Sequence, residues 1–201
     1  MIAIFDYGAG NLRSVQNTLA EIGATYTLTR DSDGLRAASK IILPGVGHFG
    51  QMMRALDSLG VRDTLLERIA VGVPFLGICL GLQALLTASE EAPDTTGLGL
   101  YPGTVRRFPA DARVPHMGWN QLSGAGPRPA QSKLLANLPP EPYVYFAHSY
   151  YVPENGATAA RCTYGVPYTA VLEDHNVFGV QFHPEKSGPI GLRIVRNFLE
   201  L

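Results

Sequence analysis

The residues best suited to covalent chemistry lie around Cys79, where a short apolar run meets a series of helix-forming residues between Leu80 and Leu86, which predicts a helix there. The run, residues 73–78, has the length of a buried strand, and Gly77 and Gly81 flank the cysteine in the pattern Gly-x-Cys-x-Gly. This is the nucleophile elbow with cysteine in the place of serine. The pattern predicts a sulfur nucleophile at a helix N-terminus, where a thiolate is favoured, with the N–H of Leu80 facing an oxyanion. A buried core cysteine is the alternative interpretation.

A cysteine nucleophile needs a base, and the base needs a group that orients it. His183 and Glu185 can supply both. Because Pro184 favours an extended conformation at His183, and alternate residues of an extended segment point to the same side, the carboxylate can reach the imidazole. A surface turn with an incidental ion pair is the alternative. Together with the elbow, the motif predicts a Cys79–His183–Glu185 triad.

The oxyanion needs a second hydrogen-bond donor, and the segment Pro44-Gly45-Val46-Gly47 can provide it. The segment follows the third predicted strand, which should lie beside the elbow strand. Gly45 and Gly47 make rotation of the intervening peptides easy, so the N–H of Val46 can turn toward or away from the site. An ordinary strand-to-helix loop is the alternative. We expect an oxyanion site formed by Leu80 and this loop, with a peptide rotation as its switch.

Length and composition exclude several other classes of protein. The chain has 201 residues, 46% of them hydrophobic and 16% charged, and a net charge of -1, which suits one α/β domain over residues 1–201. No basic excess favours nucleic acid and no charge block favours a membrane surface, and neither a signal peptide nor a membrane-spanning run is expected from the sequence. Two cysteines are too few for a disulfide framework, so we expect a cytoplasmic protein with reduced thiols. Cys162 is expected to have only a structural role. Histidine spacing favours no metal site, and Arg13 stands where a dinucleotide fingerprint needs glycine, so no cofactor is expected.

Strands and helices alternate along the first half of the chain. Strands are predicted at 2–5, 25–29, 40–43 and 73–78, with a helix at 11–22 capped by Asn11, a short helix capped by Asp31, and two helices across 52–56 and 61–69. The second half has short, partly antiparallel strands, a surface loop at 123–132 and a final helix at 190–199. The alternation predicts a mostly parallel sheet with helices on both faces and ligands at the carboxyl ends of its strands.

The elbow, the Gly45–Gly47 loop and the His-Pro-Glu motif together resemble the class I, or triad, glutamine amidotransferases, in order and in placement. Segments 6–12, 115–120, 145–150 and 182–188 are similar to one subgroup of that family, glutaminase subunits that work with a cyclase. The resemblance runs from end to end, with no departure at a catalytic position. It implies a three-layer α/β fold: a mostly parallel central sheet with helices on both faces, and a smaller, partly antiparallel sheet.

The resemblance also implies an activity, a partner and the roles of individual residues. The activity is hydrolysis of glutamine through a cysteine thioester, with ammonia passed to a separate cyclase subunit, a (β/α)₈ barrel in a 1:1 heterodimer. That cyclase makes imidazole glycerol phosphate and aminoimidazole carboxamide ribotide in histidine biosynthesis. Cys79 would be the nucleophile, His183 the general base and then acid, and Glu185 the orienting group. The other implied residues line the glutamine pocket (Gln83, His148, Ser149 and Tyr150) or face the partner (Asn11, Trp119, Tyr145 and Lys186).

Three other functions remain open on the sequence. A glutaminase subunit of another synthase, for anthranilate or pyridoxal phosphate, would share the triad but should lack the segment 117–120 in this context. A stand-alone thiol hydrolase or peptidase on the same fold would turn over γ-glutamyl compounds without a partner. A non-catalytic scaffold has no need of Cys79, His183 and Glu185 together, so the intact triad disfavours it.

Overall fold

The first half of the chain forms four parallel strands that alternate with helices, as predicted. The computed structural model describes residues 1–9, 11–124 and 132–201. The elements of the first half are β1 (Ile2–Phe5), α1 (Leu12–Ile22), β2 (Tyr26–Thr29), α2 (Ser32–Ala37), β3 (Lys40–Gly45), α3 (Phe49–Ser58), α4 (Arg62–Ala70) and β4 (Phe75–Cys79).

Two local signals for helix ends in this half operate as the sequence favours, and a third does not. Helix α1 ends at Gly23, whose φ of 80° is left-handed and therefore suits glycine. The side chain of Asp31 caps α2 by accepting a hydrogen bond from the N–H of Gly34 at 2.8 Å. Asn11 occupies the N-cap position of α1 as predicted, but its side chain makes no capping hydrogen bond. The predicted position is confirmed, and the predicted side-chain cap is wrong.

The second half contributes short strands and the last helix. Its elements are α5 (Leu80–Gln83), β5 (Leu86–Ser89), β6 (Tyr101–Arg107), β7 (His116–Gln121), β8 (Ser123–Gly124), β9 (Tyr143–His148), β10 (Tyr150–Tyr151), β11 (Thr158–Tyr164), β12 (Val166–Asp174), β13 (Val177–Val180) and α6 (Gly188–Leu199). The loop predicted at 123–132 falls mostly on residues 125–131, outside the described residues. Its first two residues form β8, where no strand was expected.

The series of helix-forming residues after Cys79 was expected to continue as a helix through Leu86. Instead α5 has four residues, and Leu86 begins β5, which pairs in parallel with β6. Leu85 and Leu86 are fully or almost fully buried in the core. Strand pairing and burial thus override helix propensity, which amounts to only a few tenths of a kcal/mol per residue.

Across the described residues, the central sheet has eight strands in the order β2-β1-β3-β4-β13-β12-β11-β8. Neighbours are parallel from β2 to β13 and antiparallel from β13 to β8. Two small sheets, β10-β6-β5 and β7-β9, lie outside it, so the one smaller sheet expected is in fact two. The predicted fold class, a mostly parallel sheet with a partly antiparallel addition, is confirmed.

Apolar side chains cover both faces of the central sheet. Along β3, Ile41 and Leu43 belong to one buried cluster, which includes α3 and α4, whereas Ile42 belongs to a second cluster with α1 and α6. This alternation follows from the two-residue period of a strand and produces three layers. Each fully buried large side chain stabilises the fold by about 1.5–3 kcal/mol. In the described ranges, no helix has the length and hydropathy needed to cross a membrane.

Candidate active site

Cys79 is the last residue of β4 and adopts the strained conformation expected of an elbow. Its φ of 55° and ψ of -105° lie in a region that costs a non-glycine residue about 1–3 kcal/mol. A Cβ on Gly81 would overlap the carbonyl oxygen of Leu43, and a Cβ on Gly77 would overlap the backbone of Gly81. Both flanking glycines are therefore needed for the chain to turn so tightly against β3.

Strand β4 lies between β3 and β13, so both neighbours bring residues to Cys79 at their carboxyl ends. Gly45 at the end of β3 pairs in register with Cys79. Val180 at the end of β13 pairs with Ile78, which places Gln181 beside the cysteine. His183 follows two residues later.

His183 and Glu185 form the second half of the predicted triad. The Nδ1 atom of His183 lies 2.8 Å from Oε1 of Glu185, and both side chains are almost fully buried. His183 is extended as expected, but Pro184–Lys186 form a 3₁₀ turn, so the predicted extended tripeptide is wrong. The turn is held by the N–H of Lys186 and the hydroxyl of Ser187, which both donate to the carbonyl oxygen of His183.

The surroundings of His183 favour its protonated form. Burial alone lowers its pKa, but hydrogen bonds with Cys79 and Glu185, and the charges of both, raise it to about 10. Because Glu185 holds Nδ1, the Nε2 atom is left for the sulfur. An imidazolium beside the sulfur can stabilise a thiolate and later give its proton to a leaving nitrogen.

The N–H of Val46 is engaged by another side chain. It donates to the hydroxyl of Tyr7 at 3.2 Å, and the same hydroxyl donates to the carbonyl oxygen of Val46 at 3.0 Å. Burial is the main cause that raises the pKa of Tyr7 to about 12, so the phenol stays protonated and can make both bonds. Tyr7 therefore holds both peptides flanking Val46. Nothing in the sequence indicated this role for Tyr7.

A cavity of about 220 Å³ opens in front of Cys79. At about 30 Å³ per water molecule it has room for roughly seven waters, which suits a small molecule better than a polypeptide. Its lining includes every predicted oxyanion and glutamine-pocket residue except Gly45: Leu80, Val46, Gly47, Gln83, His148, Ser149 and Tyr150. Gly45 packs against Met52 and Leu80, with no room there for a Cβ. Glu91 and Met117 also line the cavity and were not predicted.

His148 lines this cavity as part of a buried polar network. Its Nδ1 lies 2.8 Å from the carbonyl oxygen of Tyr150, so Nδ1 carries the proton. Its Nε2 lies 3.3 Å from both His116 Nδ1 and the hydroxyl of Tyr168. Burial lowers the pKa of His148 to about 3 and that of His116 to about 4, so both imidazoles are neutral. The network fixes the carbonyl group of Tyr150 at the cavity wall.

Two glutamine side chains connect the same carbonyl group to the sulfur of Cys79. The Nε2 of Gln83 donates to the carbonyl oxygen of Tyr150 at 2.9 Å and to Oε1 of Gln181 at 3.1 Å. The Nε2 of Gln181 in turn lies 3.6 Å from the sulfur of Cys79. Sequence reasoning missed Gln181, although its position two residues before His183 could have placed both side chains on one side of a strand end.

Three of the four expected partner-facing residues form one surface patch. Trp119 is 56% exposed and meets the ring of Tyr145 edge-on at 6.1 Å. The Nζ atom of Lys186 lies 5.8 Å from the centre of the Tyr145 ring. The carbonyl oxygen of Tyr145 also accepts a hydrogen bond from the N–H of His183 at 2.9 Å, which connects the patch to His183. Asn11, the fourth of these residues, lies at the start of α1, a helix that packs against the turn containing Glu185.

The other candidates for chemistry are the second cysteine and a metal site, and neither is favoured in the described residues. Cys162 is a free, buried thiol whose pKa is raised to about 11, chiefly by burial. Across residues 1–9, 11–124 and 132–201, no three His, Cys, Asp or Glu residues are grouped in a way that could hold a metal ion.

Comparison with known proteins gives a consistent result. The profile of the family described as "Glutamine amidotransferase class-I" matches residues 3–201. The chain is 52% identical to "Imidazole glycerol phosphate synthase subunit HisH" of Methanothermobacter thermautotrophicus, over 100% of this chain and 98% of that protein. It is 48% identical to the protein of the same name from Desulfitobacterium hafniense, over 98% and 93% of the two chains.

Solved structures support the same fold at low sequence identity. A structure described as "Crystal structure of glutamine amidotransferase" has a TM-score of 0.77 at 20% identity and covers 99% of this chain and 97% of its own. "Structure of PurLQS from Thermotoga maritima" has a TM-score of 0.76, also at 20% identity, with the same coverage.

Proposed function

The chain belongs to the class I glutamine amidotransferase family, and on that premise we propose that it is the glutaminase subunit of an imidazole glycerol phosphate synthase. The observation that carries the proposal is the Cys79–His183–Glu185 arrangement, whose cysteine lines a cavity sized for a small molecule. The names of relatives at 45–52% identity over nearly the whole chain support the choice of synthase.

The first half of the reaction forms a thioester and releases ammonia. The sulfur of Cys79 attacks the side-chain amide carbon of glutamine, so that a C–S bond forms and the carbonyl electron pair moves onto oxygen. The imidazolium of His183 gives its proton to the amide nitrogen. The C–N bond then breaks, leaving a γ-glutamyl thioester and ammonia. Glu185 keeps His183 oriented throughout.

The second half regenerates the enzyme with water. His183, now neutral, takes a proton from a water molecule whose oxygen attacks the thioester carbon. The C–S bond breaks, glutamate leaves and the thiolate of Cys79 faces an imidazolium again. Gln83, Ser149, Tyr150 and His148 would surround the amino-acid part of the substrate, as the cavity lining suggests.

Oxyanion stabilisation is the step at which a partner can act. The N–H of Leu80 supplies one donor, and the second, from Val46, is occupied by Tyr7 in the present conformation. A missing donor costs about 10²–10³ in rate. A partner that binds only the conformation with Val46 turned inward would recover that factor by population shift.

The partner in this proposal is a cyclase subunit with a (β/α)₈ barrel, bound 1:1 over Asn11, Trp119, Tyr145 and Lys186. Ammonia is a nucleophile only while unprotonated, and in bulk water at neutral pH it becomes mostly ammonium. A path shielded from water between the two subunits is therefore needed. The reaction would take place in the cytoplasm, where free thiols stay reduced.

The test is glutamine hydrolysis by the purified chain alone, with the cyclase subunit, and with the cyclase plus its nucleotide substrate. We expect slow hydrolysis alone, strong activation in the complete mixture, and a 1:1 complex by sedimentation. Cys79→Ala should abolish use of glutamine and leave ammonia-dependent synthesis by the complex intact, since the two reactions occupy different chains. Full activity of the chain alone would favour the stand-alone hydrolase, and activation only by a different synthase would reassign the partner.

A further inference from the structure

We propose that Gln181 is a further catalytic residue, whose side-chain N–H hydrogen-bonds the sulfur of Cys79 and stabilises its negative charge. The inference rests on the proposed role of Cys79 as nucleophile. Gln181 is fully buried, and its Nε2 lies 3.6 Å from the sulfur, within the range of an N–H···S contact.

The fold places Gln181 there for a simple reason. Strand β13 runs parallel to β4 and in register with it, so the residue after Val180 lies beside the residue after Ile78, which is Cys79. The N–H of Gln181 also donates to the carbonyl oxygen of Ala170 at 2.9 Å, which fixes its backbone against β12. Its side chain therefore extends from the rigid end of a strand. A rigid support of this kind holds a side chain in a fixed position against a reacting atom.

The orientation of the Gln181 amide group is set by Gln83. Both contacts of Gln83 Nε2 are to oxygen atoms, the carbonyl of Tyr150 at 2.9 Å and Oε1 of Gln181 at 3.1 Å. With Gln181 flipped, two amide NH₂ groups would face each other and an oxygen would face the sulfur. The observed arrangement leaves an N–H of Gln181 for the sulfur. Gln83 is thus a positioning residue for Gln181 as well as a wall of the cavity.

A donor at this place favours a thiolate over a thiol because a hydrogen bond to a charged group is stronger than one to a neutral group. His183, held by Glu185, is the charged hydrogen-bond partner of the sulfur. Tyr7 and Tyr168 approach from β1 and β12, and their pKa values are raised mainly by burial, so both stay neutral at working pH. His148 is neutral because burial lowers its pKa, and Glu91 is the other carboxylate at the cavity.

The experiment is alkylation of Cys79 by iodoacetamide, measured as a rate at each pH from 5 to 9 by mass spectrometry of the Cys79 peptide. It needs neither glutamine nor a partner, so it is separate from the glutaminase test. Gln181→Met keeps the side-chain length and removes the donor. We expect the pH of half-maximal alkylation rate to rise by about one unit, because at low pH the variant would have about tenfold less thiolate than the wild type. This shift corresponds to the lower limit of the strength of a hydrogen bond to a charged group.

A second variant and a control keep the outcome interpretable. Gln83→Met leaves Gln181 in place but frees its amide group to rotate, so we expect a smaller shift in the same direction, measurable even if Gln181→Met does not fold. Asn197→Leu removes a buried amide whose hydrogen bonds go to the carbonyl oxygens of Leu134 and Ala136 and not to the glutamine pair or the sulfur, so it should leave the pH profile unchanged. Wild-type profiles in folded Gln181→Met and Gln83→Met would overturn the inference. A wild-type Cys79 no more reactive than Cys162 would instead overturn the nucleophile assignment.

Discussion

The two cysteines of the chain have opposite surroundings although both are buried. Cys79 lies at a strained turn beside an imidazole whose pKa is raised and at the base of an open cavity. Cys162 lies within β11, and burial raises its pKa to about 11. Reactivity of a thiol follows the thiolate fraction and access, so the two should differ greatly.

We predict that a glutamine-like electrophile labels Cys79 and leaves Cys162 untouched at pH 7–8. Below the raised pKa of Cys162, its thiolate fraction falls about tenfold for each unit by which the pH decreases. Labelling of Cys162 should therefore become visible only in alkaline solution or after unfolding. Peptide mapping of the adduct checks this. Modification of Cys162 with Cys79 untouched would contradict the assignment.

Glu185 should matter less to the rate than His183. Glu185→Gln leaves the base in place but in a less favourable tautomer and without a charge to stabilise the imidazolium. In a comparable serine triad the orienting carboxylate is worth about 10⁴ and the histidine about 10⁶ in kcat. We expect a similar gap of about 100-fold between Glu185→Gln and His183→Ala, measured as kcat for glutamine in the activated complex. Equal losses would indicate direct participation by Glu185 or collapse of the site.

At the scale of elements, the loop after β3 and the turn after β1 are joined by Tyr7. Its hydroxyl makes two hydrogen bonds to Val46, and each is worth about 0.5–1.5 kcal/mol. The total, about 1–3 kcal/mol, is enough to keep the loop mainly in one conformation and small enough for a docking partner to overcome.

Tyr7→Phe should therefore raise the glutaminase rate of the isolated chain by about 10-fold to 100-fold, with the rate of the full complex little changed. The change should appear in kcat rather than KM, since the oxyanion forms only in the transition state. Tyr101→Phe is the matched control, because Tyr101 bonds Asp174 and lies outside the cavity lining. Val46→Pro removes the donor and should be slow under every condition. An unchanged basal rate in Tyr7→Phe would exclude the hydroxyl as the restraint.

At the scale of the whole molecule, the patch of Trp119, Tyr145 and Lys186 lies at the catalytic edge of the sheet. Trp119→Ala should weaken cyclase binding by about 30-fold, because it removes an interface anchor. The Tm of the isolated chain should change little, because the Trp119 ring is 56% exposed. Val71→Ala is the control, since Val71 is 65% exposed but lies near the opposite end of β4. Affinity by calorimetry and Tm by circular dichroism check this. Unfolding of the isolated Trp119→Ala chain would place Trp119 in the core.

We also propose that residues 1–201 form a single cooperative domain. Strand β4 of the first half pairs with β13 of the second half, and each of the two buried apolar clusters contains side chains from both halves. Scanning calorimetry should give one transition with equal calorimetric and van't Hoff enthalpies. Two separate transitions would contradict the single domain.

Much of the fold was predictable because its signals are local. The period of apolar residues, Gly23 at the end of α1 and the cap by Asp31 are read within a few positions of the chain, and so is the elbow at Cys79. Its glycines are required by close backbone contacts that any strand–turn–helix of this kind imposes. The sequence by itself therefore determined the fold class and located the elbow cysteine and the His-Pro-Glu motif that the structure brings together.

Only the tertiary structure decided which groups surround Cys79. Leu86 begins a strand because it pairs with Tyr101 of β6, and this pairing outweighs a local helix preference of a few tenths of a kcal/mol. Tyr7 on Val46 and Gln181 on Cys79 are contacts between residues that lie 39 and 102 positions apart in the chain. Such contacts follow from strand order and register, which bring distant segments of the chain together.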